Sequence, residues 1–181
     1  MDRQPILEGE RLRLRPLTAD DWDALFAIAS DRQIWDQHPA GDRWQEDVFR
    51  KFFDESLGAS GALVAIDRAS DCIVGSSQFR PCPLDPSEME IGWTFLARDQ
   101  WGGATNRELK RLMLSHALKA FPRVLFRIGD TNWRSRKAME KIGGKLVEGM
   151  LEKGEYKGEQ VTHVVYEITR DVFAKGPLST D

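Results

Sequence analysis

The chain has 181 residues, with 26 lysines and arginines against 29 aspartates and glutamates, and a formal net charge of −3. That length supports one domain with its own core, and an acidic balance without a long basic run argues against a dedicated nucleic-acid binder. No apolar stretch approaches the ~20 residues that span a bilayer, and the first residues carry no signal-peptide apolar region, so a cytoplasmic protein with no membrane partner is expected.

Arg11 to Arg15 alternates polar and apolar, the period of a half-buried strand. Thr18 reads as a helix N-cap, with Asp20 and Asp21 in the first turn and Trp22, Leu25, Phe26 and Ile28 as the apolar stripe. A second helix is expected from Asp42 to Leu57, with Trp44, Val48, Phe52 and Phe53 inward, ended by Gly58 and Gly61. Ala62 to Ile66 and Cys72 to Phe79 form a hairpin about Ser70 and Asp71. Pro81, Pro83 and Pro86 mark a loop. Met89, Ile91, Trp93 and Phe95 then alternate with Glu88, Glu90, Gly92 and Thr94, so one apolar and one polar face are expected.

Trp101-Gly102-Gly103-Ala104-Thr105 follows that strand and opens a helix carrying Leu109, Leu112, Met113 and Ala117, which Pro122 stops. Val124 to Ile128 is a strand, and Asp130 to Asn132 is a turn and cap. A short helix with Ala138, Met139 and Ile142 ends at Gly143-Gly144, and strands near Lys145–Leu151 and Val161–Ile168 follow. The order is β-α-α-β-β-β-α-β-α-β-β, an α+β architecture with a mixed, mostly antiparallel sheet flanked by helices. Nothing divides the chain, so a single domain over 1–181 is expected, with 176–181 as a disordered tail.

Cys72 and Cys82 match no zinc spacing, and the three histidines are scattered, so no metal is expected. Glycines at 102 and 103 permit positive φ and close approach of a ligand. A run of free N–H groups at a helix start favours phosphate. The alternative is a plain strand-to-helix turn capped by Thr105.

Three segments in this order carry a resemblance: Glu90-Ile91-Gly92-Trp93, Trp101-Gly102-Gly103-Ala104, and Asn132-Trp133-Arg134-Ser135 with Lys141-Ile142-Gly143-Gly144. The chain resembles the GNAT superfamily of acyl-CoA-dependent N-acyltransferases, and within it the branch of ribosomal-protein N-terminal acetyltransferases. The resemblance implies a GNAT-like fold, acetyl-CoA as cosubstrate without a metal, and direct acetyl transfer to a primary amine on a protein N-terminus or a small molecule. Asp99 stands where the family's loop has Gln or Arg, which shifts weight from side chains to backbone. The implied cofactor contacts are the N–H groups of Trp101, Gly102, Gly103, Ala104 and Thr105, the strand end at Phe95 and Leu96, Asn132, and Ser135. Arg98 or Arg107 would add positive charge.

For catalysis the resemblance implies Glu90, with Glu88 on the same face, as the base for the acceptor amine. A solvated polar face is the alternative for both. Asn132 is equally read as a helix N-cap. No tyrosine lies between Asn132 and Gly144, and the Asn-x-x-Ser arrangement resembles the branch in which a serine, here Ser135, is the acid toward the departing sulfur; a solvent-facing helix serine is the alternative. Trp35 and His38 are implied as acceptor-wall residues. A non-catalytic CoA-binding module or sensor shares the loop and lacks the roles of Glu90 and Ser135. Monomer and homodimer both stay open.

Overall fold

Strand follows strand along most of this chain, and hairpins assemble the computed structural model, described for residues 1–179. In chain order the elements are β1 (Leu7–Glu8), β2 (Leu12–Pro16), α1 (Trp22–Ala29), α2 (Glu46–Gly58), β3 (Ala62–Asp67), β4 (Cys72–Cys82) and β5 (Asp85–Leu96). Then come α3 (Ala104–Ala117), β6 (Arg123–Gly129), α4 (Trp133–Lys141), β7 (Lys145–Tyr156), β8 (Glu159–Thr169) and α5 (Arg170–Lys175). The described strands form one eight-stranded sheet in the order β1-β2-β3-β4-β5-β6-β8-β7. Only β5 and β6 pair in parallel. The expected α+β sheet flanked by helices is what the chain builds.

Local chemistry sets the boundaries. Thr18 and Asp21 form a capping box, and Asp21 is also gripped by Arg15 at 2.7 Å, so the chain enters α1 at a fixed angle. α2 starts at Glu46, four residues later than expected from Asp42, because Gln45 takes extended backbone as its N-cap. Pro83 and Leu84 make a two-residue turn inside what was expected to be a longer loop, so β4 and β5 run on as a hairpin. The tail is ordered through its first part. Leu178 is only 2% exposed and joins the main core, while Thr180 and Asp181 lie outside the described residues.

β5 does not keep one face. Its register against β4 shifts between Ser76 and Gln78, and Trp93 sits at φ 52°, so β5 carries one extra residue there. Met89 and Ile91 therefore pack with α3, α4 and α5, whereas Trp93 and Phe95 pack on the opposite face with α1 and α2. The expected single apolar face over Met89, Ile91, Trp93 and Phe95 is split by this bulge.

Candidate active site

β5 and β6 pair only at Met89 with Val124 and Glu90 with Leu125, and then part. The backbone edge of β5 beyond Glu90 is left without a ladder partner, in the middle of the sheet. The opening continues into a groove of about 660 Å³ lined by both strands, the start of α3 and the length of α4. One end of the groove is the glycine loop. Gly102 is left-handed at φ +71° with open space around it, and Gly103 is the N-cap of α3 with no side chain capping the helix. A 14-residue helix thus begins at this end of the groove without a side-chain cap.

Of the cofactor residues expected from sequence, Phe95, Leu96, Trp101, Gly102, Gly103, Asn132 and Ser135 are brought together in the groove lining. Ala104 and Thr105 are not. Ala104 is exposed, and Thr105 is turned back to give its hydroxyl to Gln100 Oε1 at 2.8 Å, which braces the loop. Asn132 caps α4 by accepting from the Ser135 N–H at 3.2 Å, and it is buried against the groove at the same time. Arg98 is spent elsewhere, paired with Asp31, while Arg107 lines the groove.

The groove is electrostatically one-sided. Among the described residues, Arg107, Lys110, Arg127, Arg134, Lys137 and Lys141 line it, and no aspartate or glutamate does. On a chain of net charge −3, this is a local concentration of positive charge.

Glu90 lies just behind this lining, 2% exposed. Arg127 Nε donates to its Oε2 at 2.8 Å, and Arg127 also bonds Glu152. Burial raises the Glu90 carboxyl above the usual range, against the pull of Arg127. Its Oε1 lies beside Gly92, a residue of the groove lining, where an added Cβ would meet it at 3.3 Å. Glu88 does share the face of Glu90, but it is held by Arg123 Nε at 2.8 Å and does not reach the groove.

The connection from α1 to α2 bridges the opening on one face. Trp35 packs on Phe95 of β5 with ring centroids 5.5 Å apart, and Pro39 sits where a Cβ on Gly129 of β6 would be 2.8 Å away. Arg134 donates to the Ile34 carbonyl at 2.7 Å, and Tyr156 to Asp42 at 2.7 Å, tying the bridge to α4 and to the β7–β8 hairpin. His38 lies in this bridge and accepts from the Ala40 N–H at 2.9 Å through Nδ1, with Arg43 Nη1 3.4 Å from its Nε2. Burial, with Arg43 beside it, drives the imidazole down to about 3. His163 also lines the groove, its Nδ1 buried without a hydrogen-bond partner and the ring pushed toward neutral by burial.

Lys110, Arg127, Gly129 and His163 were not singled out from sequence. Each sits in an apolar or alternating run and becomes a groove residue only once β5 and β6 part. Among the described residues, no group of three or more His, Cys, Asp and Glu side chains is placed to hold a metal ion, and no helix is long and apolar enough to cross a membrane.

The sequence model of the acetyltransferase (GNAT) domain matches residues 11–145. The chain is 27% identical over 154 residues to the uncharacterized N-acetyltransferase YnaD of Bacillus subtilis (strain 168), covering 83% of this chain and 88% of that protein. Its fold is similar to a GCN5-related N-acetyltransferase from Brucella melitensis, with a TM-score of 0.76, 21% identity, and 94% and 80% of the two chains covered. It is likewise similar to an acetyltransferase (GNAT family) from Bacillus anthracis, with a TM-score of 0.75, 23% identity, and 92% and 99% covered.

Proposed function

The chain belongs to the GNAT acetyltransferase family, and from that premise we propose that it transfers an acetyl group from acetyl-CoA to a primary amine by direct attack. The observation that carries this reading is the parting of β5 and β6 onto a cationic groove that ends at the uncapped start of α3. The loop N–H groups of Gly102 and Gly103, at the uncapped start of α3, take the pyrophosphate, helped by Arg107 and the basic face of α4. The pantetheine arm runs along the free edge of β5 at Phe95 and Leu96, with Asn132 across from it.

The acceptor amine must be neutral to attack the thioester carbonyl. Glu90 takes its proton through a water above Gly92, as a carboxylate whose affinity for protons is raised by burial. The C–N bond forms, the C–S bond breaks, and the Ser135 hydroxyl donates to the departing sulfur. Arg127 orients the Glu90 carboxylate. Glu88 has no role in this scheme.

Of the two acceptor classes, the bridge over the opening favours a small amine. A protein N-terminus, the acceptor of the ribosomal-protein branch, would need an open cleft where Trp35 and Pro39 close on Phe95 and Gly129. The lack of acidic lining disfavours polycationic amines. Transfer from acetyl-CoA to matched panels of small monoamines, polyamines and N-terminal peptides, followed by thiol release, tests this reading. Small monoamines are expected to be the better acceptors. Tight acetyl-CoA binding with no transfer to any acceptor would instead support a CoA-binding module.

A further inference from the structure

The groove contains a buried cation that the scheme above leaves unused. Lys110 lies on α3, six residues past its first residue Ala104, about 9 Å along the helix axis from the phosphate loop. It is 5% exposed, yet it lines the groove. Its Nζ donates to Thr94 Oγ1 at 2.6 Å and, more weakly, to Ser77 Oγ at 3.4 Å. The Phe126 ring of β6 lies 5.7 Å away. Among the described residues, Lys110 takes part in no ion pair.

A buried ammonium without a counter-ion is costly, and an ordinary core would place leucine or methionine at this point of α3. The bulge in β5 explains how the side chain is held. The extra residue at Trp93 turns Thr94 to the α3 face, opposite Trp93 and Phe95, and brings its hydroxyl onto Nζ. An ammonium has three N–H donors, and the two hydroxyls take two of them. The third has no partner among the described residues, and Lys110 lines the groove.

Resting on the reading of the groove as an acyl-CoA site, we propose that Lys110 is a binding residue for the acyl donor, donating a hydrogen bond to a carbonyl oxygen of the pantetheine–acetyl arm. The carbonyl belongs either to an arm amide or to the thioester. Both offer the same acceptor chemistry, and CoA, which lacks the thioester, separates them. Burial alone brings the amine down to about 7, so an acceptor oxygen at that point stabilises the protonated form that donates the third bond.

The test is calorimetric titration of the wild type and Lys110→Met with acetyl-CoA, CoA and adenosine 3′,5′-bisphosphate, which carries phosphates without the arm. Losing a hydrogen bond from a charged donor should weaken acetyl-CoA binding about 10- to 100-fold. Bisphosphate affinity should stay within about 2-fold, because the phosphate loop is untouched. Equal weakening for CoA assigns an arm amide, and unchanged CoA binding assigns the thioester. Thr94→Val, which keeps the amine and removes its anchor, should weaken acetyl-CoA binding about 3- to 10-fold. Unchanged acetyl-CoA affinity in either variant, or a parallel loss for the bisphosphate, overturns the assignment. A wild type that binds none of the three ligands overturns the acyl-CoA reading of the groove and this assignment with it.

Discussion

Arg127 Nε donates to Glu90 Oε2 at 2.8 Å, reaching back from two residues beyond Leu125, the partner of Glu90 in the last rung that joins β5 to β6. The pair stands where the two strands separate, so the same point of the sheet opens the groove and places a buried carboxylate beside it.

Glu90→Gln should lower turnover about 100- to 10,000-fold, the range for removing a general base, with the acetyl-CoA affinity retained. In the wild type, activity should fall as pH drops through the Glu90 pKa, because protonation removes the base. That pKa is raised by burial, so the acid limb should lie above the ordinary carboxylate range. The residual activity of Glu90→Gln should lack this limb. A pH–rate profile of both proteins checks it.

Arg127→Met should move the acid limb of the same profile to still higher pH. The guanidinium is what holds the Glu90 carboxyl down against burial. Removing one partner of a buried pair also costs roughly 3 kcal/mol, readable by denaturant unfolding. Unchanged stability and an unmoved limb would show that Arg127 does not act on Glu90.

Gly129→Ala should raise KM for the amine without changing KM for acetyl-CoA. A Cβ there meets Pro39 Cγ at 2.8 Å, which pushes the bridge off the end of β6. Steady-state kinetics with each substrate varied separately read the two constants.

Gly102→Val should weaken acetyl-CoA binding while leaving the fold intact. Space is open around Gly102, so the obstacle is its φ of +71°, which a β-branched residue adopts at a cost of about 1–2 kcal/mol. Circular dichroism and a binding isotherm separate the two effects.

His38 should make the fold sensitive to acid. Its folded pKa, about 3, lies below the unfolded value, so below about pH 6.5 the unfolded chain binds the extra proton and folding weakens. By pH 5 the loss approaches about 2 kcal/mol from this residue. His38→Asn should show a smaller fall in unfolding free energy between pH 7 and pH 5.

The sheet and the glycine turn that opens α3 were legible in the sequence because alternation and a glycine pair before a helical run are local signals. The Trp93 bulge was not, since Trp93 and Phe95 continue the alternation begun by Met89 and Ile91 and nothing in their spacing marks the extra residue. β1, with two residues, is too short to show a period. Asn132 was legible as the cap of α4 from its place before a helical run, and Ser135 was singled out only through the family resemblance. Lys110 was hidden because a lysine beside Leu109 and Leu112 on a helix reads as a solvated position. Arg127 was hidden because it alternates with Phe126 and Ile128 like any outward residue of a strand. Both depend on where β5 leaves β6, a long-range event with no local signature.

The most direct measurement is the mass balance of a reaction containing the purified protein, acetyl-CoA and a small primary amine. The expected result is acetylated amine formed in equal amount to free CoA, dependent on the amine, with no acetyl group on the protein at any time. Acetyl-CoA that stays intact with every amine, or an acetylated protein that forms first and then transfers, would contradict direct transfer in this groove.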